Sequence, residues 1–184
     1  MIYAFLAQGF EEVEALAVVD VLRRAGQDVK LISISQETVV VGAHGIKVIA
    51  DALFSDTDFS DAQLLFLPGG MPGAANLDAH EGLGDLLLEK SAQGAIIAAI
   101  CAAPLVLGHL GLTEGKTCTC YPGFEGELAG ADCTEGLAEV DGNVFTACGP
   151  AASLELGYLL AERLAGKETA DKLREGMMYN RLAR

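Results

Sequence analysis

Short apolar runs that alternate with helical patterns constrain the fold of this 184-residue chain more than any other feature. The clearest of them predict strands at Ile2–Ala7, Gln63–Leu67 and Gly94–Ile100. Strands without a polar face must be covered on both sides, as in a parallel sheet that lies between two layers of helices. The pattern therefore predicts an α/β fold with a mostly parallel sheet.

The spacing of apolar residues and the glycines at segment ends predict the remaining elements. Helices are predicted at Glu12–Ala25, Glu81–Ser91, Pro104–Leu110, Ala151–Ala165 and Lys167–Met178. Further strands are predicted at Val29–Ile34, Val39–Val41, Lys47–Ala50, Lys116–Cys120, Leu137–Val140 and Val144–Cys148, with a hairpin turn at Gly42–Gly45. No repeat or Ser/Pro-rich linker divides the chain, so residues 1–184 are predicted to form one domain.

Composition and charge exclude several classes of protein. The mean hydropathy is +0.35, but no apolar run approaches the roughly 20 residues that a transmembrane helix needs. The formal net charge of −14 disfavours nucleic acid and anionic membranes as partners, because both require clustered Lys and Arg. The amino terminus lacks the basic segment of a signal peptide, and an odd number of cysteines, five, favours reduced thiols in a cytoplasm.

Three glycine-rich or polar segments follow predicted strands, namely Gln8–Glu14, Pro68–Gly73 and Ile100–Pro104. In parallel sheets, ligands bind beyond the carboxyl ends of the strands, at the point where the strand order reverses. These three segments are therefore where the sequence predicts a functional site.

Cys101 is the strongest candidate for a reactive residue. It stands between a predicted strand and a helix that starts near Pro104, which is the setting of a nucleophile elbow. The end of the helix dipole and the free N–H groups there favour a thiolate. The alternative is a small buried cysteine that fills a tight turn.

Glu14 is a candidate partner for this cysteine. Acidic residues at a helix start complement the dipole, which is the ordinary explanation for Glu11 and Glu12. Glu14 lies one turn inside the helix, where burial would raise its pKa and keep it protonated. A protonated carboxyl can donate a hydrogen bond to a thiolate, whereas an ionised one opposes thiolate formation.

The glycines of Pro68–Gly73 allow the backbone to approach a ligand, so their N–H groups can line an oxyanion site, or they can simply form a tight turn. The segment lacks the spacing of a nucleotide-binding loop. Cys118 and Cys120 have no second Cys or His pair nearby to complete a zinc site, and Cys133 and Cys148 are interpreted as packing or surface residues. No metal or cofactor is expected.

Together, Gly9–Glu14, Asp20–Gly26, Leu67–Gly70 and Ala98–Pro104 resemble motifs of the ThiJ/PfpI superfamily, in the branch of the parkinsonism-associated protein and its bacterial relatives. The resemblance extends over almost the whole chain, including Gly149-Pro150. It implies a flavodoxin-like three-layer sandwich with a cysteine nucleophile elbow, and usually a homodimer.

The resemblance also implies roles for individual residues. Cys101 matches the family's oxidation-prone nucleophile and Glu14 its protonated partner. Gly69, Gly70 and the backbone of Ala102 match groups that line the oxyanion pocket. Two basic residues, Arg24 and His44, fall where the branch places basic side chains near the pocket or the dimer seam, with His44 in place of an expected arginine.

Two departures from the family pattern affect the expected chemistry. Protease-like members carry a histidine directly after the cysteine, where this chain has Ala102, and the human member of the branch has a histidine where this chain has Tyr121. Base chemistry would then rest on Glu14, water or the substrate.

Three functions follow from the resemblance. The first is glutathione-independent glyoxalase or deglycase activity on 2-oxoaldehydes such as methylglyoxal, a small carbonyl substrate. The second is an oxidative-stress sensor or chaperone in which Cys101 is oxidised to a sulfinate. The third is a cysteine hydrolase or amidotransferase-like enzyme, which the residues at positions 102 and 121 disfavour.

Overall fold

The computed structural model describes residues 1–182, which form eleven strands and six α-helices. The strands are Ile2–Leu6 (β1), Val29–Ser33 (β2), Val39–Val41 (β3), Lys47–Ile49 (β4), Ala52–Leu53 (β5), Leu64–Leu67 (β6), Ile96–Ile100 (β7), Thr117–Cys118 (β8), Asp132–Cys133 (β9), Ala138–Asp141 (β10) and Val144–Ala147 (β11). The helices are Glu12–Arg24 (α1), Gly73–Asp78 (α2), Glu81–Ala92 (α3), Pro104–His109 (α4), Ser153–Ala165 (α5) and Lys167–Gly176 (α6).

Seven of these strands form one sheet in the order β10-β11-β7-β6-β1-β2-β5. Every neighbouring pair is parallel except β10 and β11, which form an antiparallel hairpin at one edge. All residues of β1, β6, β7 and β11 are buried, so neither face of the central sheet meets solvent. The prediction of a mostly parallel, doubly covered sheet is confirmed.

The helices form two groups that cover the sheet. Helix α1 packs on α5, which in turn packs on α6, while α2 contacts both α3 and α4. Helix α1 buries Ala15, Val18 and Leu22, which recur at helical spacing, and the chain turns away at Gly26, whose φ is +76°. The strand order β2-β1-β6-β7-β11 between these layers is that of a flavodoxin-like fold, as the family resemblance implied.

The structure corrects the predicted strand Lys116–Cys120, which is limited to Thr117–Cys118 and lies outside the main sheet. The backbone leaves the strand because the N–H of Thr119 donates to Thr146 Oγ1 at 2.9 Å and the N–H of Tyr121 donates to the carbonyl of Cys101 at 2.8 Å. These side-chain and loop partners replace the hydrogen bonds of a strand ladder.

The sequence patterns did not predict α2, β5 and β9, each of which has six residues or fewer. Several predicted helix ends also differ from those in the structure. The helix predicted from Ala151 begins as a 3-10 turn at Pro150–Ala152, and α6 ends at Gly176 rather than Met178. Met178 has a φ of 61°, which is incompatible with a continuing right-handed helix. Within residues 1–182, no helix is both long and apolar enough to cross a bilayer.

Candidate active site

The carboxyl ends of β1, β6 and β7, three adjacent strands, bring the three predicted segments into one place. The N–H of Glu11, after β1, donates to the carbonyl of Gly69, after β6, at 2.9 Å. Gly69 in turn lies against Cys101, after β7: a β-carbon at position 69 would be 2.7 Å from Cys101 Cβ. The chain passes from β1 to β2 on one side and later returns to β6 on the other, so this is the point where the strand order reverses.

Cys101 occupies a strained turn between β7 and α4. Its φ of 64° is left-handed, a conformation that costs a non-glycine residue about 1–2 kcal/mol. Two backbone hydrogen bonds hold it there: its N–H donates to the carbonyl of Ala147 at 2.8 Å, and its carbonyl accepts from the N–H of Tyr121 at 2.8 Å. The residue is 9% exposed, so its side chain reaches solvent through a narrow opening.

Glu14 is fully buried beside this cysteine. Its Oε2 accepts a hydrogen bond from the N–H of Gly69 at 2.7 Å, whereas Oε1 makes no hydrogen bond of regular geometry within residues 1–182. Burial raises the pKa of Glu14 to about 7, and the nearby charge of Glu11 adds to the shift; hydrogen bonds with Cys101 and Gly69 act in the opposite direction. The carboxyl is therefore about half protonated at pH 7 and mostly protonated below it.

The Cys101 thiol and the Glu14 carboxyl form a coupled pair. With Glu14 ionised, burial and the carboxylate raise the pKa of Cys101 to about 12, while hydrogen bonds from the N–H groups of Gly70 and Ala102 lower it. A buried carboxylate oxygen without a donor is costly, so Oε1 is the atom best suited to hold the proton that the pair shares. With the proton there, Glu14 can donate to the sulfur, and the two amides can stabilise negative charge on it.

This geometry changes the role expected of Gly69, which was to line the oxyanion pocket. Its N–H donates to Glu14 Oε2 and is not available to an oxyanion, so the amide donors aimed at the sulfur are those of Gly70 and Ala102. Gly70 has a φ of +85° and lies against the backbone of Phe10 and Glu11. Glycine at position 69 allows the close approach of the cysteine and the carboxyl.

Replacing Gly69 by alanine is expected to destabilise the fold. The new β-carbon would lie 2.7 Å from both Cys101 Cβ and the carbonyl oxygen of Ile100, and 2.8 Å from Glu14 Oε2. Overpacking of this kind costs about 1–3 kcal/mol in the free energy of unfolding, which urea denaturation measures. Gly126→Ala is the control, because nothing lies within 4 Å of a β-carbon there. Equal effects of the two substitutions would contradict the expected crowding.

The other residues that the resemblance singled out occupy different places. Tyr121 lies next to Cys101 through its backbone. The Nδ1 of His44 is 2.9 Å from Glu12 Oε2, so His44 lies at the start of α1 near the glycine loop. Arg24, at the far end of α1, pairs with Asp20 at 2.7 Å and is half exposed, and its expected place near the pocket or the dimer seam stays a prediction.

Glu11, Glu12 and His44 each place a ligand atom within 4.8 Å of the others, the only such group of metal-binding type among residues 1–182. Glu12 is nevertheless already satisfied, because its Oε1 accepts from the N–H groups of His44 and Ile46 at 2.9 and 3.2 Å. These hydrogen bonds attach the β3–β4 hairpin to α1, and this structural role accounts for the cluster.

The sequence missed two features of the site. The carbonyl of Ala147 anchors the elbow, and Cys148 and Cys120 lie one residue from the groups that hold Cys101. A signal for the first was present, because Ala147 lies one residue before the end of the predicted strand Val144–Cys148 and Gly149-Pro150 follows that strand directly. The second feature, the position of Cys120 and Cys148, gave no signal because both residues are distant from Cys101 along the sequence.

Comparisons with known proteins agree with this geometry. Residues 1–163 match the model of the DJ-1/PfpI family. Protein dj-1beta of Drosophila melanogaster is 34% identical over 179 residues, which cover 95% of this chain and 96% of that protein. Protein DJ-1 homolog B of Arabidopsis thaliana is 42% identical over 90% of this chain, but the chain spans only 38% of that relative. A second Arabidopsis homologue, A, is likewise matched over less than half of its length.

A solved structure and a nematode protein extend the comparison. The structure of oxidised Toxoplasma gondii DJ-1 superposes with a TM-score of 0.92 at 34% identity and covers 96% of this chain and 97% of that one. A Caenorhabditis elegans protein named glutathione-independent glyoxalase DJR-1.2 is 29% identical over 89% of this chain and 87% of its own length.

Proposed function

The chain belongs to the DJ-1/PfpI family, and on this premise we propose that it is a cysteine-dependent stress-protective enzyme that converts 2-oxoaldehydes such as methylglyoxal to 2-hydroxy acids without glutathione. One observation carries the proposal: a buried thiol with a protonatable carboxyl on one side and two backbone N–H donors on the other. The name of the nematode relative supports the same class of reaction.

The reaction uses the thiol, the carboxyl and the two N–H donors in turn. The Cys101 thiolate attacks the aldehyde carbon and forms a hemithioacetal, whose oxygen receives a hydrogen bond from Gly70 or Ala102 N–H. Glu14 gives its proton to this oxygen, and the resulting carboxylate removes the C1 proton and returns it to C2, while the hydroxyl proton passes from the C1 oxygen to the C2 oxygen. This transfer leaves a lactoyl thioester on Cys101. Water hydrolyses the thioester, so methylglyoxal and water yield lactate and restore the thiol without a cofactor.

The proposal is tested with purified protein, methylglyoxal and no glutathione. We expect lactate to form in amounts equal to the methylglyoxal consumed and to exceed the protein concentration many times. Protein in which Cys101 has been alkylated is the control, because it retains the amino groups that react nonenzymatically with the aldehyde. Loss of aldehyde without lactate, or equal lactate from the alkylated protein, would overturn the assignment.

A second candidate function is oxidative-stress sensing. Two equivalents of peroxide convert a thiol to a sulfinic acid and release two waters. Protonated Glu14 and the amides of Gly70 and Ala102 are suited to hold the oxygens. The oxidised state named for the Toxoplasma relative supports this candidate. Mild peroxide should add two oxygens selectively at Cys101, which peptide mass analysis detects. Equal oxidation of Cys118, Cys120, Cys133 and Cys148 would argue against a dedicated sensor.

We further propose that the chain acts as a homodimer through the outer face of α1 and the β3–β4 hairpin. Val13 on α1 is 55% exposed, and Ile46 and Ile49 on the hairpin are exposed as well. We expect sedimentation equilibrium to give twice the 19.1 kDa chain mass, and Val13→Arg to shift the protein to monomer. Leu88→Arg, at an exposed position on α3, is the control and should remain dimeric. A monomeric wild type would contradict this surface assignment.

Other expectations from the sequence stay predictions. They are one domain over residues 1–184, a cytoplasmic location, and the absence of nucleic acid, membrane, metal and cofactor among the partners.

A further inference from the structure

Cys120 and Cys148 lie on two segments that run side by side next to the elbow. On one side of them, the N–H of Thr119 donates to Thr146 Oγ1 at 2.9 Å. On the other side, the ring of Tyr121 is 3.3 Å from the position of a β-carbon on Gly149. Cys120 lies between Thr119 and Tyr121 on one segment, and Cys148 lies between Thr146 and Gly149 on the other. The two cysteines therefore occupy facing stretches of adjacent segments.

Both cysteines also line one cavity of about 330 Å³, together with Glu125 and Glu135. Cys120 is 5% exposed, whereas Cys148 is partly exposed. All five cysteines are free thiols in this structure. An oxidant that enters the cavity therefore meets Cys148 as the more accessible thiol, with Cys120 behind it.

We propose that Cys120 and Cys148 form a reversible disulfide, a second oxidation site distinct from Cys101. Hydrogen peroxide, the oxidant, oxidises the Cys148 thiol to a sulfenic acid and is reduced to water. The Cys120 sulfur then attacks the sulfenic sulfur, the S–O bond breaks, and a second water leaves. Two thiols and one peroxide thus give one disulfide and two waters.

The surroundings of Cys120 in this cavity determine how fast its sulfur attacks the sulfenic acid of Cys148. Burial and the charge of Glu125 raise the pKa of Cys120 to about 12, with smaller contributions, in decreasing order, from Cys133, Cys118 and Cys148. Glu135 is the other carboxyl that lines the cavity. Because the thiolate is the attacking form, disulfide formation should be slow near neutral pH and accelerate as the pH rises. Removing the Glu125 charge should accelerate it at constant pH.

The crosslink would act on the elbow through the backbone. Cys120 adjoins Tyr121, whose N–H holds the carbonyl of Cys101, and Cys148 adjoins Ala147, whose carbonyl holds the N–H of Cys101. A disulfide would tie together the two segments that keep Cys101 in its left-handed conformation. Oxidation of the pair should raise the unfolding temperature, and reduction should restore the original value.

The test uses full-length protein treated with peroxide in excess of its thiols and then with an alkylating reagent, so that the disulfide can form in addition to any oxidation of Cys101. We expect a crosslinked peptide pair containing Cys120 and Cys148 that has lost two hydrogens, and recovery of both thiols with dithiothreitol. Glu125→Gln should form this product faster than wild type at pH 8.

Cys120→Ser and Cys148→Ser should abolish the product, while Cys118→Ser and Cys133→Ser should retain it. Cys118→Ser and Cys133→Ser are matched controls, because Cys118 and Cys133 lie opposite each other in β8 and β9 and could form an alternative disulfide. Mapping of the wild-type protein decides the question even where a variant fails to fold. A disulfide between Cys118 and Cys133, one that involves Cys101, or oxygen addition without any disulfide would overturn the proposal.

Discussion

Cys101→Ser is expected to reduce lactate formation from methylglyoxal by at least about 100-fold, the scale on which loss of a nucleophile lowers kcat in enzymes with covalent intermediates. Serine is close to cysteine in size, and its hydroxyl can accept from the N–H groups of Gly70 and Ala102 and donate to Glu14. The fold should therefore survive. A hydroxyl, however, is not ionised in water near neutral pH, so the attack on the aldehyde carbon is lost.

Cys133→Ser is the matched control, because Cys133 is a partly exposed cysteine on β9, outside the site. Both variants should retain the wild-type circular dichroism spectrum and the wild-type mass in solution. If Cys101→Ser still forms lactate at a rate close to that of Cys133→Ser, the thiol is not the nucleophile and the glyoxalase assignment fails.

The meeting of the three segments could be predicted from the sequence because it follows from sheet topology. Parallel strands place their carboxyl ends at one edge, so the segments after β1, β6 and β7 had to converge once those strands were recognised as buried. The pairing of Cys101 with Glu14 followed from the small residues around one and the helical position of the other. The strands are recognisable from local sequence because each is an apolar run of four or five residues.

Details that depend on contacts between distant segments could not be predicted. The hydrogen bond from Gly69 N–H to Glu14 depends on how α1 packs against the segment that follows β6, which no local pattern encodes. The short elements α2, β5 and β9 are held by tertiary contacts rather than by their own periodicity. Arg24 was placed by family likeness, and its pairing with Asp20 one turn earlier keeps it on the surface.

Glu14 variants should separate two tasks of this residue, hydrogen bonding to the sulfur and proton transfer. Glu14→Gln keeps an acceptor for Gly69 N–H and an amide donor for Cys101, but it cannot exchange a proton with substrate. We expect it to retain the rate of Cys101 alkylation at pH 7 within a few-fold while lactate formation falls about 10²–10⁴-fold, the usual contribution of a general acid–base residue. Glu14→Ala should lose both.

The pH dependence of alkylation by iodoacetamide reports the charge state of the pair. Burial and an ionised Glu14 raise the pKa of Cys101, whereas a protonated Glu14 and the two N–H groups stabilise the thiolate. We therefore expect the first proton that the coupled pair loses to come from Cys101, with an apparent pKa below the roughly 8.5 of free cysteine. Glu14→Ala removes the carboxyl donor and should raise that pKa. Faster alkylation in Glu14→Gln than in wild type at neutral pH would mean that the carboxylate, not the carboxylic acid, faces the thiol.

The pH dependence of the free energy of unfolding tests independently whether Glu14 is protonated in the folded state. Burial raises the folded-state pKa of Glu14 from 4.5 to about 7, so the folded chain binds more protons than the unfolded chain between these values. The free energy of unfolding contributed by this group must then fall as the pH rises from 4.5 to 7. Urea denaturation at pH 5 and pH 7 should show this loss in wild type and a smaller one in Glu14→Gln, which has no proton to release. Identical losses in the two proteins would contradict a protonated Glu14 in the folded state.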